Sequence, residues 1–266
     1  MIRFRCCTLL IAILLTFPAL ARSCERAYRL GWDPWPPYQY VNEQGVLTGL
    51  DIELMQAVFD AMGCEIRFQQ LPWKRQLLHL QRGELDVVSS ASRTAEREAF
   101  GRYSIPLRTE RVVLLTQRNT LWQGKVRSLS DLQHLPMRLV GTIGYFYGDD
   151  FEALRPELLA QNRLMLVSSD QLAYQMLLNA RADAMLADPV SAAAALQLMG
   201  ETGSVQVLAP VHEAPTYALF SRKSVSRDFV EQFNLTVEQL QRRGILQEIV
   251  ARYTLRAPAE SPAGAQ

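Results

Sequence analysis

The chain has 266 residues, 28 of them Lys or Arg and 27 Asp or Glu, with 48% apolar residues and a formal charge of +1. So even a balance excludes the basic footprint of a nucleic-acid-binding protein, and the apolar content is that of a chain able to bury a core rather than of a disordered one. Arg3 and Arg5, the apolar run from Thr8 to Phe17 and the small-residue end Ala19-Leu20-Ala21 have the pattern of a secretory signal peptide over residues 1–21. That run is half the roughly twenty residues needed to span a bilayer, and no other stretch is long enough either, which predicts an exported, soluble protein.

Removal of the signal takes away two basic residues, leaving 26 against 27 acidic ones, a formal charge of −1. Cys6 and Cys7 leave with it. Cys24 and Cys64 then form the only pair in an oxidising compartment, which predicts a disulfide, two free buried thiols being the alternative. A lipid anchor on Cys24 would need a small or apolar residue where Arg22 stands.

Tyr28 to Trp32 reads as a strand, and Asp33-Pro34-Trp35-Pro36-Pro37-Tyr38 as a rigid turn that no helix could contain. A loop with Asn42 and Gly45 follows. Apolar residues at helical spacing from Leu50 to Met62, started near Asp51 and stopped by Gly63, predict a helix. Glu65 to Gln69 is a second strand and Trp73 to Gln81 a second helix.

The segment from Gly83 to Arg97, GELDVVSSASRTAER, carries the most chemistry. Leu85 to Val88 is too short and too β-branched for a helix, and Ser89, Ser90 and Ser92 crowd its carboxyl end, where open α/β sheets bind ligands. Thr94 is placed to cap a helix, which puts Arg97 in its first turn, facing an anion together with free backbone N–H groups. Arg97 lies in an arginine-rich region with Arg93, Arg102, Arg108 and Arg111, for which a solvated face is the alternative, but only Arg97 has the first-turn position behind the serines.

Arg111 to Gln117 is a further strand, followed by a short helix near Ser130 to Gln133. A second round of the plan then begins with a strand at Met137 to Val140, linked by Gly141-Thr142-Ile143-Gly144 to a helix. Leu164 to Val167 is a strand, Gln171 to Asn179 a helix, and ADAMLAD at 182–188 repeats the logic of GELDVVSS. Tyr217 to Ser221 reads as a last strand and Arg227 to Tyr253 as two amphipathic helices broken at Gly244. The tail, 257–266, has no apolar periodicity and is expected to be disordered. Such alternation predicts an α/β protein with mainly parallel sheets.

WPPY at 35–38, GLDIEL at 49–54, PWKRQL at 72–77, GELDVVSSASRTAER, Gly141-Thr142 and ADAMLAD together resemble the extracellular solute-binding proteins of family 3, the periplasmic polar amino-acid-binding proteins of ABC importers. The resemblance implies the type II periplasmic-binding-protein fold: two lobes, one discontinuous (22–116 plus 217–256) and one continuous (117–216), around a ligand cleft. It implies a monomer that captures a small zwitterion, an amino acid, and delivers it to a membrane permease, without cofactor or metal.

By motif position the resemblance assigns the ligand carboxylate to Arg97 with Ser90 and Ser92, and the ammonium to Asp188. It assigns the side-chain walls to Trp35 and Trp73 and a second-lobe grip to Thr142 and the helix that follows. The segment after Asp86 is one residue short of many members, so the contacting hydroxyl is open among Ser89, Ser90 and Ser92. Ile143 stands where many have a second hydroxyl. Asp188 also suits a helix cap, Asp51 reads as one, and Asp33 suits a turn or a ligand cation equally. Asp86 and Asp183 read as residues heading their strands.

His79, His134 and His212 lack metal-ligand spacing, and no nucleophile with a base can be assembled. Two alternatives accompany the binding-protein reading. One is a cyclohexadienyl-dehydratase-like enzyme on the same scaffold, which would need a general acid that no motif marks among Glu43, Glu53 and Glu110. The other is a sensor that presents ligand to a signalling receptor.

Overall fold

The structure, a computed structural model, describes Cys24 and residues 26–254. The expected signal peptide (1–21) and tail (257–266) lie outside the described residues. In chain order the strands are β1 Tyr28–Trp32, β2 Tyr40–Val41, β3 Leu47–Thr48, β4 Ile66–Gln70, β5 Val87–Ala91, β6 Gly101–Tyr103, β7 Arg108–Gln117, β8 Leu139–Thr142, β9 Leu164–Val167, β10 Ala184–Ala187 and β11 Val205–Ser221. The helices are α1 Leu50–Ala61, α2 Trp73–Arg82, α3 Ala95–Phe100, α4 Asp149–Ala160, α5 Asp170–Leu178, α6 Pro189–Leu198, α7 Arg227–Arg242 and α8 Ile245–Thr254, with a 3-10 turn at Leu129–Gln133.

The strands run β4-β1-β5-β11-β7-β10-β8-β9, with β6 also on β11. β4, β1 and β5 are mutually parallel and meet the last residues of β11 antiparallel. These make the first lobe. β10, β8 and β9 are likewise parallel and meet β7 antiparallel; these make the second. Between them the long strands β7 and β11 pair with each other from Arg108–Thr216 to Gln117–Val205 and pass from one lobe to the other.

Each lobe buries its helices against its own sheet, as the helical and strand periodicities require. Ile52, Met55 and Phe59 of α1 pack in one core with Phe220 of β11 and Phe233 of α7. In the second lobe Leu114, Leu139 and Leu186 pack on one side of the sheet with Phe151, while Val140 and Met185 pack on the other with Tyr174 and Leu177. Cys24 and Cys64 are joined by the expected disulfide, which ties the start of the described chain to the end of α1.

Three expected elements differ from those observed. The final strand extends twelve residues before Tyr217, because Pro210 and Pro215 hid it. A proline offers no N–H to a ladder and argues against a central strand, yet the register shifts by a bulge between Pro210 and His212. The loop around Asn42 and Gly45 is a small hairpin, β2 with β3, turned by the Asn42 side chain accepting from the N–H groups of Gln44 and Val46. The helix expected directly after Gly144 begins only at Asp149, so no helix terminus lies next to Thr142.

Candidate functional site

Both lobes present the carboxyl ends of their parallel strands to one cleft, which holds roughly 640 Å³ of space, its open mouth included. Trp35, Trp73, Ser90, Ser92, Arg97 and Asp188 all line it. Thr142 does not: it is buried, and its hydroxyl donates to Asp170, which is a lining residue. Between Thr142 and the start of α4 at Asp149, it is Tyr145, Phe146 and Tyr147 that line the cleft.

Arg97 sits where the capping argument put it. Thr94 is the N-cap of α3 and accepts the Arg97 N–H at 3.2 Å. The guanidinium is 5% exposed as a residue and donates to two carbonyls, Ser92 of its own lobe at 2.8 Å and Gly144 of the other at 2.9 Å. No carboxylate among the described residues pairs with it. Burial lowers its pKa from the ordinary value, but an arginine stays charged in a protein, so the group is a buried cation.

Gly144 also accepts the Trp73 indole N–H at 3.0 Å, so two side chains of the first lobe meet one carbonyl of the second. Its φ of +85° lies in the left-handed region that favours glycine.

The serines are placed by a β-bulge. Tyr217 opposes Ala91 and Leu219 opposes Val88, so Ser89 and Ser90 together face one residue of β11. Ser90 takes φ +56°, a left-handed conformation that a non-glycine residue adopts at a cost. The turn aims its hydroxyl at Asp51, to which it donates, and Arg108 donates to it at 3.1 Å. Ser89 is buried and accepts from the Gln39 amide at 3.2 Å.

Asp51 and Arg108 correct two sequence readings. Gly49 holds the N-cap position of α1, and Asp51 instead accepts from Arg108 at 2.7 Å, both side chains being almost fully buried. Arg108, expected on a solvated face, lies with its guanidinium carbon 3.9 Å from the Tyr38 ring centroid and 5.1 Å from that of Trp35. Its alternation within β7 could have marked it, since inward-pointing positions of a strand recur every second residue.

Asp188 caps α6 through the Ser191 N–H at 2.8 Å, and the same oxygen accepts the Tyr38 hydroxyl at 3.0 Å. That bond crosses between the lobes. Burial raises the Asp188 pKa against the lowering effect of these donors and of Arg108.

Three further carboxyls line the cleft. Asp33 accepts the Trp73 N–H at 3.2 Å and is pushed up to about 6, first by burial and then by the charge of Asp170. Asp170, at the start of α5, is pushed up to about 6 by burial and by Asp188, against the Thr142 hydroxyl bond. Glu110, on β7, is pushed up to about 8 by burial, with Arg108 opposing and Asp188, Asp51 and Asp170 adding to the rise. Only Asp33 carried a sequence signal; Glu110 and Asp170 are brought in by β7 and by the turn after β9.

With this geometry in view, the sequence matches the bacterial extracellular solute-binding proteins, family 3, over residues 28–256. The chain belongs to this family. Among relatives of this solute-binding protein, the L-cystine-binding protein TcyJ of Escherichia coli is 24% identical over 224 residues, covering 82% of this chain and 79% of the relative.

A substrate-binding protein of an ABC uptake transporter from Streptococcus pneumoniae, solved with bound histidine, superposes with a TM-score of 0.72 at 23% identity, covering 88% of this chain and 95% of that one. The ancestral amino-acid-binding protein AncCDT-1, a precursor of cyclohexadienyl dehydratase, does so with 0.71 at 23%, covering 85% and 94%. These likenesses establish the two-lobed fold of the solute-binding protein. Among its described residues no helix is long and apolar enough to cross a membrane, and no group of three or more His, Cys, Asp or Glu could hold a metal ion.

Proposed function

We propose that this solute-binding protein is a periplasmic receptor that captures an amino acid by closing its lobes and delivers it as a monomer to the permease of an ABC transporter. The observation that carries the reading is Arg97: a buried guanidinium with no carboxylate partner among the described residues, across a cleft from the carboxylates of the second lobe. Arg97 receives the α-carboxylate with Ser90 or Ser92, and Asp188 receives the ammonium. Trp35 and Trp73 wall the side chain, and Thr142 acts through Asp170.

In this reading residues 1–21 direct export, 22–116 with 217–256 form one lobe, and 117–216 the other. Burying both charges of a zwitterion against opposite charges offsets their desolvation. Truncating one member of such a pair costs about 2–5 kcal/mol. A thermal-shift screen is expected to find an amino acid that stabilises the protein, by about 2.7 kcal/mol at a hundredfold excess over Kd. Calorimetry should then show Arg97→Ala and Asp188→Ala weakened by tens to thousands of fold, and full affinity in both would overturn the assignment.

One observation favours a second reading. Glu110 lies in the cleft and holds its proton near neutral pH, as a general acid for dehydration must. Turnover of prephenate or arogenate by the purified protein would establish the enzyme; stoichiometric binding without turnover keeps the receptor.

A further inference from the structure

Asp188 is held from both lobes. Its Oδ1 accepts the Ser191 N–H of its own lobe at 2.8 Å and the Tyr38 hydroxyl of the first lobe at 3.0 Å. Asp188 lines the cleft and Tyr38 does not, so the tyrosine reaches the carboxylate from outside the cleft lining. We propose that Tyr38 is a positioning residue for lobe closure: its hydroxyl orients Asp188 across the lobe boundary, and its ring joins that contact to the serine-rich wall of the first lobe.

The tyrosine is firmly set. It is 6% exposed, its N–H donates to the Trp35 carbonyl at 2.8 Å, and its own carbonyl accepts the Asp51 N–H at 2.9 Å, which fixes it to the start of α1. Its ring centroid stands 3.9 Å from the Arg108 guanidinium carbon and 4.5 Å from the Trp35 ring. Arg108 in turn donates to Asp51 at 2.7 Å and to Ser90 at 3.1 Å. A continuous set of contacts therefore runs from a carboxylate of the second lobe, through Tyr38 and Arg108, to Asp51 and Ser90 of the first. In surroundings of low polarity such contacts strengthen one another.

The hydroxyl is the part that bears on closure. A phenylalanine would fill the same space and stack on Arg108, whereas a tyrosine adds a buried polar atom that needs a partner. That partner is Asp188, which belongs to the other lobe and is within reach only when the lobes meet. Burial raises the Tyr38 pKa from its ordinary value, so the hydroxyl stays protonated and donates. Arg97 and Trp73 also donate across the boundary, but to the Gly144 carbonyl. A backbone oxygen takes no orientation from them, as the Asp188 side chain does from Tyr38.

This inference rests on the proposed closing of the lobes, and the test separates its failure from that of the receptor reading. Spin labels on Gln44→Cys in the first lobe and Arg181→Cys in the second, both exposed positions, would report the closed fraction of the mature protein by pulsed EPR distances, alone and with L-histidine or L-cystine. Tyr38→Phe is expected to lower the closed-to-open ratio about tenfold or more, as loss of a buried hydrogen bond to a charged group should. Tyr40→Phe, a half-buried tyrosine of the β2 hairpin outside the cleft lining, should leave the ratio unchanged. For either amino acid that binds, the Tyr38→Phe loss is expected in the dissociation rate, with the association rate unaltered. In an Asp188→Ala background Tyr38→Phe should add less than about twofold, because a residue that acts through Asp188 is not additive with its removal.

Equal closed fractions and dissociation rates in the wild type and Tyr38→Phe, or an undiminished loss in the Asp188→Ala background, would overturn the positioning role while leaving the amino-acid receptor intact. Amino-acid binding with no closed population would overturn it as well. A Tyr38-dependent shift in a protein that binds neither amino acid would support the positioning role and count against those two ligands.

Discussion

In the first lobe Asp86, just ahead of β5, accepts the backbone N–H of Arg29 at 2.8 Å and the forks of Arg29 and Arg26, while its own N–H donates to the Arg29 carbonyl. In the second lobe Asp183, just ahead of β10, accepts the N–H and fork of Arg138 and returns its N–H to the Arg138 carbonyl. The same clamp thus locks two neighbouring parallel strands in register in each lobe. The opposite ends of β5 and β10 differ. One runs into a Thr94-capped helix with Arg97, the other into an Asp188-capped helix with no cation. A shared device at the far end sets register, and the cleft-facing end is then free to take opposite charges in the two lobes.

The largest break in this symmetry is the buried Asp51–Arg108 pair beside Ser90, part of the first lobe's wall. Arg108→Ala would leave a buried carboxylate unpaired and is expected to cost about 3–5 kcal/mol in urea unfolding. A loss below 1 kcal/mol would mean that the pair does not hold the bulge in place.

The two clamps should differ next. The Asp86 side chain is fully buried and has two arginines, whereas that of Asp183 is 22% exposed and has one. Asp86→Ala is expected to cost about 2–3 kcal/mol, in the range of buried hydrogen bonds to a charge, and Asp183→Ala about 1 kcal/mol or less. Equal losses, read from denaturation midpoints at constant m, would end the comparison.

The smallest effect is one of pH. The donors around Asp86 and Asp183 hold both pKa values below the ordinary carboxylate range against the opposing effect of burial, so their contribution is present above pH 4 and is lost as pH falls below it. The cleft carboxyls run the other way. Raised to about 6 in Asp33 and Asp170 and about 8 in Glu110, they contribute fully below pH 4, and that contribution is lost as pH rises through 6 to 8. The unligated protein should therefore lose several degrees of Tm between pH 5 and 8.5, and Glu110→Gln should flatten the upper part of that slope. A wild-type Tm that rises across the interval would contradict the enclosure of these groups.

The α/β alternation, most strands and helices, the Thr94 and Asp188 caps and the disulfide partners were legible in the sequence, because periodicity, capping and residue type are local properties. The arrival of Arg97 at the cleft was legible for the same reason: the cap fixes its place in the first turn of α3. Local rules also misled. Pro210 and Pro215 concealed most of β11, and the bulge at Ser89 and Ser90 was invisible because it exists only against that strand.

What the sequence determined by itself, then, is a two-lobed α/β chain of family 3 with an arginine behind a serine-rich strand end. Tertiary structure decided which charges meet. No motif marks Glu110 or Asp170, and the pairing of Asp51 with Arg108 joins residues 57 positions apart in the chain. Only folding brings Glu110 and Asp170 to one cleft and sets Asp51 against Arg108 beside it, where low polarity makes an unpaired carboxylate costly.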